Sequence, residues 1–424
     1  MKINLPKKVE FIINKIYENG YEAFIVGGCV RDYILNLEPS DYDIATSATP
    51  KKILEIFKDY KTIETGIKHG TVSVIINEEL YEITTYRVES EYEGNRRPKS
   101  VEFTSNIYHD LKRRDFTINA MAYNDKVGLI DKFDGVNDIK RKIIKTVGNP
   151  DERFNEDGLR IVRAIRFSAK LGFEIEENTL NSIYKNASII KNISIERITD
   201  EFNKIILSKN PKMIITLYKT KILKYLGIKL DLDKDEKYIF ENKLDILSKC
   251  SNSLEERLVM LEYLIINRKE NKVSYEEDES IINLLRYSKK TIDNCNKLIE
   301  NMLLDENNTD EIKIKERLRR IGYSSLIKVF KLKRIYYNYM LKDDNFKLKE
   351  KNKVLDTYVN TIIKIERNKE CYTIKDLNID GKLLRNIGYI GKEIGEKLEE
   401  LLYEVMKNPN LNKKEILIEL SRIQ

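Results

Sequence analysis

Histidine is almost missing from this chain: 424 residues hold only His69 and His109. Metal phosphohydrolase centres need clustered imidazoles, so the dipeptide His109-Asp110 does not make one. A serine or cysteine triad is poorly served for the same reason, because histidine is its usual base. Cysteine is sparse as well. Cys29, Cys250, Cys295 and Cys371 lie far apart with no CxxC pair, which argues against a disulfide framework or a zinc site and fits a reducing cytosol. No run of eighteen apolar residues occurs, and the opening MKINLPKKVEF lacks an apolar centre of signal-peptide length, so the expectation is a soluble cytoplasmic protein. A strong charge of one sign is also lacking. The 76 basic residues against 69 acidic ones leave a net charge of +7, and any nucleic-acid footprint must therefore be local.

What is present is a foldable, heavily charged chain. A hydrophobic content of 41% excludes wholesale disorder, while 34% charged residues call for much solvated helical surface. The length suits two to four domains. Helical spacing of Val9, Ile12, Ile13 and Ile16 predicts a helix that Gly20 ends. Residues 24–46, FIVGGCVRDYILNLEPSDYDIAT, then read as a strand, a glycine turn at Gly27 and Gly28, a short helix opening with Val30, Arg31 and Asp32, and a second strand carrying Asp41 and Asp43. Alternation along that strand sets both carboxylates on one face. Paired hard oxygen ligands suit Mg²⁺ holding a polyphosphate. Gly27 and Gly28 let backbone approach the phosphates, the helix start offers free N–H groups, and Arg31 can add a bidentate contact. A βαβ turn with a solvated Asp pair is the plainer alternative.

Further along, Thr49 and Pro50 mark a helix start with Ile53, Leu54, Ile56 and Phe57 buried. Short strands are expected over residues 61–64, 71–76 and 81–88. If the last of these neighbours the DYD strand, Glu82 completes a carboxylate triad with Asp41 and Asp43; an exposed strand glutamate fits as well. The polar loop EGNRRPKS, residues 93–100, with Arg96 and Arg97, reads either as a mobile basic lid or as a solvated loop. LKRRDFTINAMAY, residues 111–123, joins Arg113, Arg114 and Asp115 to an apolar run expected to be helical. Arg114 can contact phosphate or ribose, and Asp115 or Asn119 can bond a ribose hydroxyl or hold the loop, with Asp115 as a simple N-cap the structural alternative that can coexist with either. DKFDG, residues 131–135, reads as a turn.

From about Arg153 onward helical periodicity dominates. If FNEDGLRIVRAIRFSAKLGF, residues 154–173, is one helix, Asp157 and Arg160 share a face, and Arg163 and Arg166 continue a drifting stripe. An aspartate can accept from an exocyclic amino group while an arginine donates to the ring nitrogen or carbonyl beside it, so one Asp/Arg pair can imitate the pairing edge of a template base. Ordinary i,i+3 ion pairs are the competing reading. ISIERITDEF, residues 193–202, suggests a support helix capped by Ser194, with Arg197 and Glu201 one turn apart. DENNTD, residues 305–310, reads as a polar break, and Gly381, Gly388, Gly391 and Gly395 lie among lysines near the end.

In this order GGCVRD, DYDIAT, TGIKHGTV, LKRRDFTINAMA, DKFDG, EDGLRIVRAIRF and ISIERITDEF closely resemble the bacterial class II tRNA nucleotidyltransferases, the CCA-adding enzymes of the nucleotidyltransferase and poly(A) polymerase family. The resemblance implies an α/β nucleotidyltransferase head like that of DNA polymerase β, followed by all-α neck, body and tail domains. The expected bounds are 1–147 for the head, 148–207 for the neck, 208–305 for the body and 306–424 for the tail. It implies that Asp41 and Asp43 are catalytic and bind Mg²⁺, that Gly28, Arg31 and Arg114 contact the incoming nucleotide, and that Asp157 and Arg160 read CTP or ATP with Arg163 and Arg166 in support. The implied partners are CTP, ATP and the acceptor arm and elbow of tRNA. An A-adding or poly(A)-adding enzyme of the same family, and a non-catalytic RNA-binding protein, are the alternatives. TGIKHGTV and the full-length NRRP loop look like CCA-adding members. Asn95 stands where relatives often carry an acidic or polar residue.

Overall fold

The computed structural model describes residues 3–89, 92–95, 97–98, 100–228, 230, 232, 234–267, 280–305, 307 and 309–422. Helix α1 (Lys7–Glu18) buries Val9, Ile12, Ile13 and Ile16, as their spacing requires. It leads into a sheet whose strands in chain order are β1 (Ala23–Val26), β2 (Asp43–Thr46), β3 (Lys61–Ile63), β4 (Thr71–Ile76) and β5 (Glu79–Thr85). Two small ladders interrupt it, β6 (Arg87–Glu89) with β9 (Val101–Phe103), and β7 (Tyr92–Glu93) with β8 (Arg97–Pro98). Then β10 (Met121–Asn124) and β11 (Gly128–Asp131) return to the main sheet, giving the order β11-β10-β1-β2-β5-β4-β3. All its neighbours are antiparallel except β2 and β5.

Helices α2 (Gly28–Ile34), α3 (Pro50–Ile56), α4 (Ile107–Lys112) and α5 (Gly135–Arg141) connect these strands. Thr49 stands at the N-cap of α3 with Pro50 first in the helix, though its side chain makes no capping hydrogen bond. The DKFDG turn is held by Asp131, whose carboxylate accepts from the N–H groups of Phe133, Gly135 and Val136. Phe24, Val26, Ala45, Tyr86, Leu111 and Ala122 form a buried cluster of the head.

Three expectations fail here. INAMAY is not helical: Thr117–Asn119 is a single tight turn and β10 follows. Every residue of β10 is buried because it lies between β1 and β11, and a short, doubly covered strand shows no alternation to betray it. Residues 81–88 do not form one strand, since the ladder ends at Thr85 and Tyr86 turns its N–H to the carbonyl of Thr46. The segment 154–173 is not one helix either. It breaks into α6 (Pro150–Glu156) and α7 (Leu159–Leu171), with Asp157 in extended conformation between them.

Helices α8 (Glu177–Asn186) and α9 (Ile195–Ile206) follow α7, and the minimal pair of β12 (Ile143–Ile144) and β13 (Glu174–Ile175) runs parallel. The structure divides into two compact units, one of Met1–Leu232 with Leu284–Arg286 and one of Asp233–Asn283 with Tyr287–Gln424. The second is helical among its described residues. There Glu311–Ile321, Tyr323–Met340 and Asn345–Arg367 close around Ile314, Leu318, Phe330 and Tyr358. The glycine-rich end folds as Gly381–Ile387 and Glu393–Lys407, packed on Leu384, Leu401 and Val405. All four cysteines are free and buried. No helix among the described residues is long and apolar enough to cross a membrane.

Candidate active site

Antiparallel pairing of Ile25 with Ile44 brings the end of β1 beside the start of β2. The glycine turn and the carboxylates therefore meet at one end of two central strands of the sheet. Gly27 has φ +77, where an L side chain is strained. A Cβ there would also lie 2.8 Å from Arg114 Nη1, a flexible side-chain end that can give way, so it is the backbone conformation that calls for glycine. Gly28 opens α2 and has only ordinary clearance, its nearest neighbour being Arg31 Nη2 at 3.6 Å. The ladder of β2 begins at Asp43, paired in register with Glu82 of β5. Asp41 precedes the strand rather than lying in it, and its carboxylate accepts from Ser40 Oγ at 3.1 Å. Both aspartates are exposed. The walls of the cleft still withdraw enough water to raise the Asp43 carboxyl; nearby Arg114 opposes this rise, while Asp41 and Glu82 add to it. Among the described residues no three Asp, Glu, His or Cys side chains are close enough to form a complete metal-ligand set.

Arg114 approaches this pair from the end of α4. Asp110, itself buried, holds Arg113 at 2.6 Å and Arg114 at 3.3 Å; burial alone would raise its carboxyl, but the two guanidinium groups lower it below the usual value. Arg114 retains a buried Nε without a hydrogen-bond partner. Arg31 is differently disposed. It is buried, donates to Asp32 from Nε at 2.8 Å and from Nη2 at 2.6 Å, and donates from Nη1 to Asn119 at 2.7 Å. Its guanidinium is thus committed to the frame around the turn.

Behind the turn lies an arginine cluster on one ring. Arg31, Arg163 and Arg166 lie 5.3, 5.5 and 3.7 Å from the centroid of Phe167. Arg163 donates twice to Asp115 Oδ2, at 2.9 and 2.6 Å, and Arg166 meets Glu201 at 2.5 Å. Asp115 is therefore no helix cap. Burial would raise its pKa, yet Arg163 overrides burial and holds it at about 2. A carboxyl lowered by folding stabilises the native state above its unfolded pKa and loses that contribution as pH falls through the folded value. Stability on the order of 2 kcal/mol should thus disappear between roughly pH 4 and pH 2. Acid unfolding of Asp115→Asn, expected to lack that part of the pH slope, checks the assignment.

The segment at Asp157 is held from several sides. Its carboxylate accepts from Arg197 Nη2 at 2.9 Å and from the Leu159 N–H at 3.1 Å. Arg160 instead turns inward, pairing with Glu156 at 2.5 Å and donating to the carbonyl of Arg113 at 3.0 Å. Asp157 and Arg160 thus have separate partners instead of lying on one helical face. The expected Arg197–Glu201 contact gives way to Arg197–Asp157 and Glu201–Arg166, and Ser194 sits at the N-cap of α9 without a side-chain hydrogen bond. In the polar loop, Asn95 accepts from the Gly158 N–H at 3.1 Å and donates to the Asn155 carbonyl at 2.6 Å. Arg96 and the Arg97 side chain, on which the lid reading rests, lie outside the described residues.

Comparison with known proteins meets this geometry. Residues 23–145 match the family model described as poly A polymerase head domain, and residues 172–229 match the probable RNA and SrmB-binding site of polymerase A. A CCA-adding enzyme of Ligilactobacillus salivarius is 38% identical over 425 residues, covering 98% of this chain and 96% of that protein. The chain belongs to the CCA-adding enzymes. Another member, from Limosilactobacillus fermentum, is 52% identical over 198 residues, 47% of this chain and 49% of its own. The crystal structure of the Bacillus stearothermophilus CCA-adding enzyme in complex with CTP matches with a TM-score of 0.77 at 27% identity, covering 98% of this chain and 97% of that one.

For a CCA-adding enzyme, the residues hardest to find from sequence are those that hold the arginines. Asp110, Phe167 and Arg197 show no local signal beyond a charge or a ring at ordinary helical spacing. Glu201 looked like the partner of its own neighbour.

Proposed function

We propose that this chain adds C, C and A in turn to the 3′ end of tRNA, from CTP and ATP and without a nucleic-acid template, releasing pyrophosphate. The carrying observation is the whole-length likeness to a CCA-adding enzyme in a chain that keeps Asp41 and Asp43 beside the Gly27 turn. The reaction is in-line attack of the tRNA 3′-hydroxyl on the nucleotide α-phosphate. In this reading Gly28 and Arg114 contact the triphosphate, and Arg31 holds the turn in shape. Asp157 and Arg160 are read as the residues that select the base, although in this structure each is held by its own partner, Arg197 and Glu156, and Arg163 and Arg166 steady the wall behind them. Catalysis is then mostly positioning and electrostatics.

Asp41 and Asp43 would hold Mg²⁺. The donor set fits: burial, with Asp41 and Glu82 adding to it, raises the Asp43 carboxyl, two hard oxygen ligands are on hand, and Mg²⁺ ordinarily completes its shell with substrate phosphates and water. When bound, the ion supplies activation of the attacking hydroxyl and charge neutralisation at the leaving pyrophosphate. Glu82, next to Asp43 in the sheet, adds negative potential without making a three-carboxylate ligand set with the two aspartates.

The division into head 1–147, neck 148–207, body 208–305 and tail 306–424 belongs to the same reading, with the helical parts gripping the acceptor arm and elbow of tRNA by shape and backbone charge. So does a cytoplasmic location, where tRNA is the substrate.

The test uses three tRNA transcripts, ending before CCA, after C and after CC, each given Mg²⁺ with CTP, ATP or both. Growth of the shortest to full CCA is the expected result. Extension of only the CC-ended transcript by ATP would make the chain an A-adding enzyme, and no extension would leave an RNA-binding protein. Asp157→Ala should reduce discrimination between CTP and ATP by about tenfold or more, with Arg197→Ala shifting it in the same direction because Arg197 holds that carboxylate. Unchanged selectivity in Asp157→Ala would remove Asp157 from base choice.

A further inference from the structure

Asp41 lies two residues before the ladder that fixes Asp43. The residue between them, Tyr42, is tied down by its side chain. Its hydroxyl lies 2.9 Å from that of Tyr33, near the end of α2, and the Tyr33 hydroxyl donates to the carbonyl of Asn4 at 3.1 Å. The two rings are tilted, with centroids 6.3 Å apart. A carbonyl can only accept, so the single Tyr33 proton is committed to Asn4 and Tyr42 must be the donor to Tyr33. The chain of donors therefore runs one way, from Tyr42 through Tyr33 to Asn4.

Both ends of this chain are anchored. Ile3 and Leu5, on either side of Asn4, are buried, and the Ile3 N–H donates to Tyr123 Oη at 3.0 Å. Helix α2 is fastened through Arg31 to Asn119 and through its N-terminal turn to β10 by the Gly27 N–H to the carbonyl of Met121. The DYD run is thus tied at its middle residue to α2 and to the segment at Asn4.

We propose that Tyr42, through Tyr33 and Asn4, is a positioning residue that sets Asp41 against Asp43 for joint binding of one divalent cation. This rests on the reading of the two aspartates as metal ligands. A carboxylate just outside a strand keeps backbone freedom that a strand residue has lost, and pinning its neighbour removes that freedom before the cation arrives. The groups that orient metal ligands commonly carry a 10- to 100-fold share of metal affinity.

The experiment compares Tyr42→Phe, Tyr33→Phe and the double variant with the parent chain. It follows Mn²⁺ binding by electron paramagnetic resonance without turnover, and the Mg²⁺ dependence of CTP addition to a tRNA transcript. Each single variant is expected to weaken Mn²⁺ binding and raise half-saturating Mg²⁺ by about tenfold, with KM for CTP at saturating Mg²⁺ little changed. The double variant should be no worse than Tyr42→Phe, because both changes cut one path. Mn²⁺ binding within twofold of the parent in either folded single variant, or additive losses in the double, overturns the proposal. Should one single variant fail to fold, the other carries the same criterion. A parent that binds Mn²⁺ but extends no transcript would count against the proposed activity and leave the Mn²⁺ comparison to decide this point.

Discussion

Asp43→Asn, and separately Asp41→Asn, should lower the rate of nucleotide addition by about 10³-fold or more while leaving the fold intact. The two halves of that expectation have different causes. Neither side chain is part of the core, and both are exposed, so little packing is lost. The Asp43 carboxyl is raised chiefly by loss of water, with Asp41 and Glu82 adding to this and Arg114 opposing it, so removing its charge relieves more than it forfeits and the thermal midpoint should hold or rise slightly. On the proposed function, the activity loss would come from halving a two-carboxylate cation site whose other ligands belong to the substrate. Glu82→Gln should cost far less, about tenfold, since Glu82 completes no ligand set with the aspartates. Single-turnover extension of a CC-ended transcript with ATP and Mg²⁺, run beside a thermal melt, measures both halves. Asp43→Asn retaining a rate within tenfold of the parent would show that the catalytic charge lies elsewhere.

Glu201→Ala should cost about 3–5 kcal/mol of stability, as much as truncating a large core side chain. Glu201 is 4% exposed and meets Arg166 at 2.5 Å, with Arg163 at 3.8 Å and Lys204 at 3.5 Å. Arg166 is itself 9% exposed with its guanidinium carbon 3.7 Å from the centroid of Phe167, so reaching water when its partner goes means leaving that contact. Truncation would strand a buried guanidinium, and stranding a charge costs far more than the pair contributes when intact. Glu201→Gln keeps the volume and one acceptor oxygen and should lose roughly half as much. Urea unfolding of both variants gives the comparison. Because Arg163 also holds Asp115, the loss should spread to the site and raise KM for the nucleotide. A loss below about 1 kcal/mol in Glu201→Ala would mean that the arginines find water or another carboxylate.

Much of the site was legible in residue order alone. GGCVRD followed by DYDIAT marked the turn and the carboxylates, and the ordered set of motifs through ISIERITDEF pointed to the family. What was misjudged shares one feature: the deciding partner lay far away in sequence. For Asp115 the sequence offers a ribose contact, a loop support or a cap, and for Glu201 the neighbouring Arg197, because a search at helical spacing finds only partners three or four residues off. Their actual partners are 48 and 35 residues away, Arg163 and Arg166. The break at Asp157 was missed because apolar period continues across it. Gly158 permits the break only where its bare Cα packs on α8's successor turn, a Cβ there falling 2.6 Å from Ile189 Cγ2.

By itself the sequence determined whatever depends on neighbours along the chain: the buried stripe of α1, the Pro50 start of α3, the Asp131-held turn, the glycine at position 27, and the presence of two carboxylates one residue apart. Only the tertiary structure decided which arginines are free to meet a ligand and which serve as frame, that β10 is a strand, and that Asp41 stands outside the ladder. Local conformation is set by short-range sterics and hydrogen bonds that residue identity nearly specifies. The partner of a buried charge is set by which elements the sheet brings together, and several carboxylates compete for each arginine until packing excludes all but one.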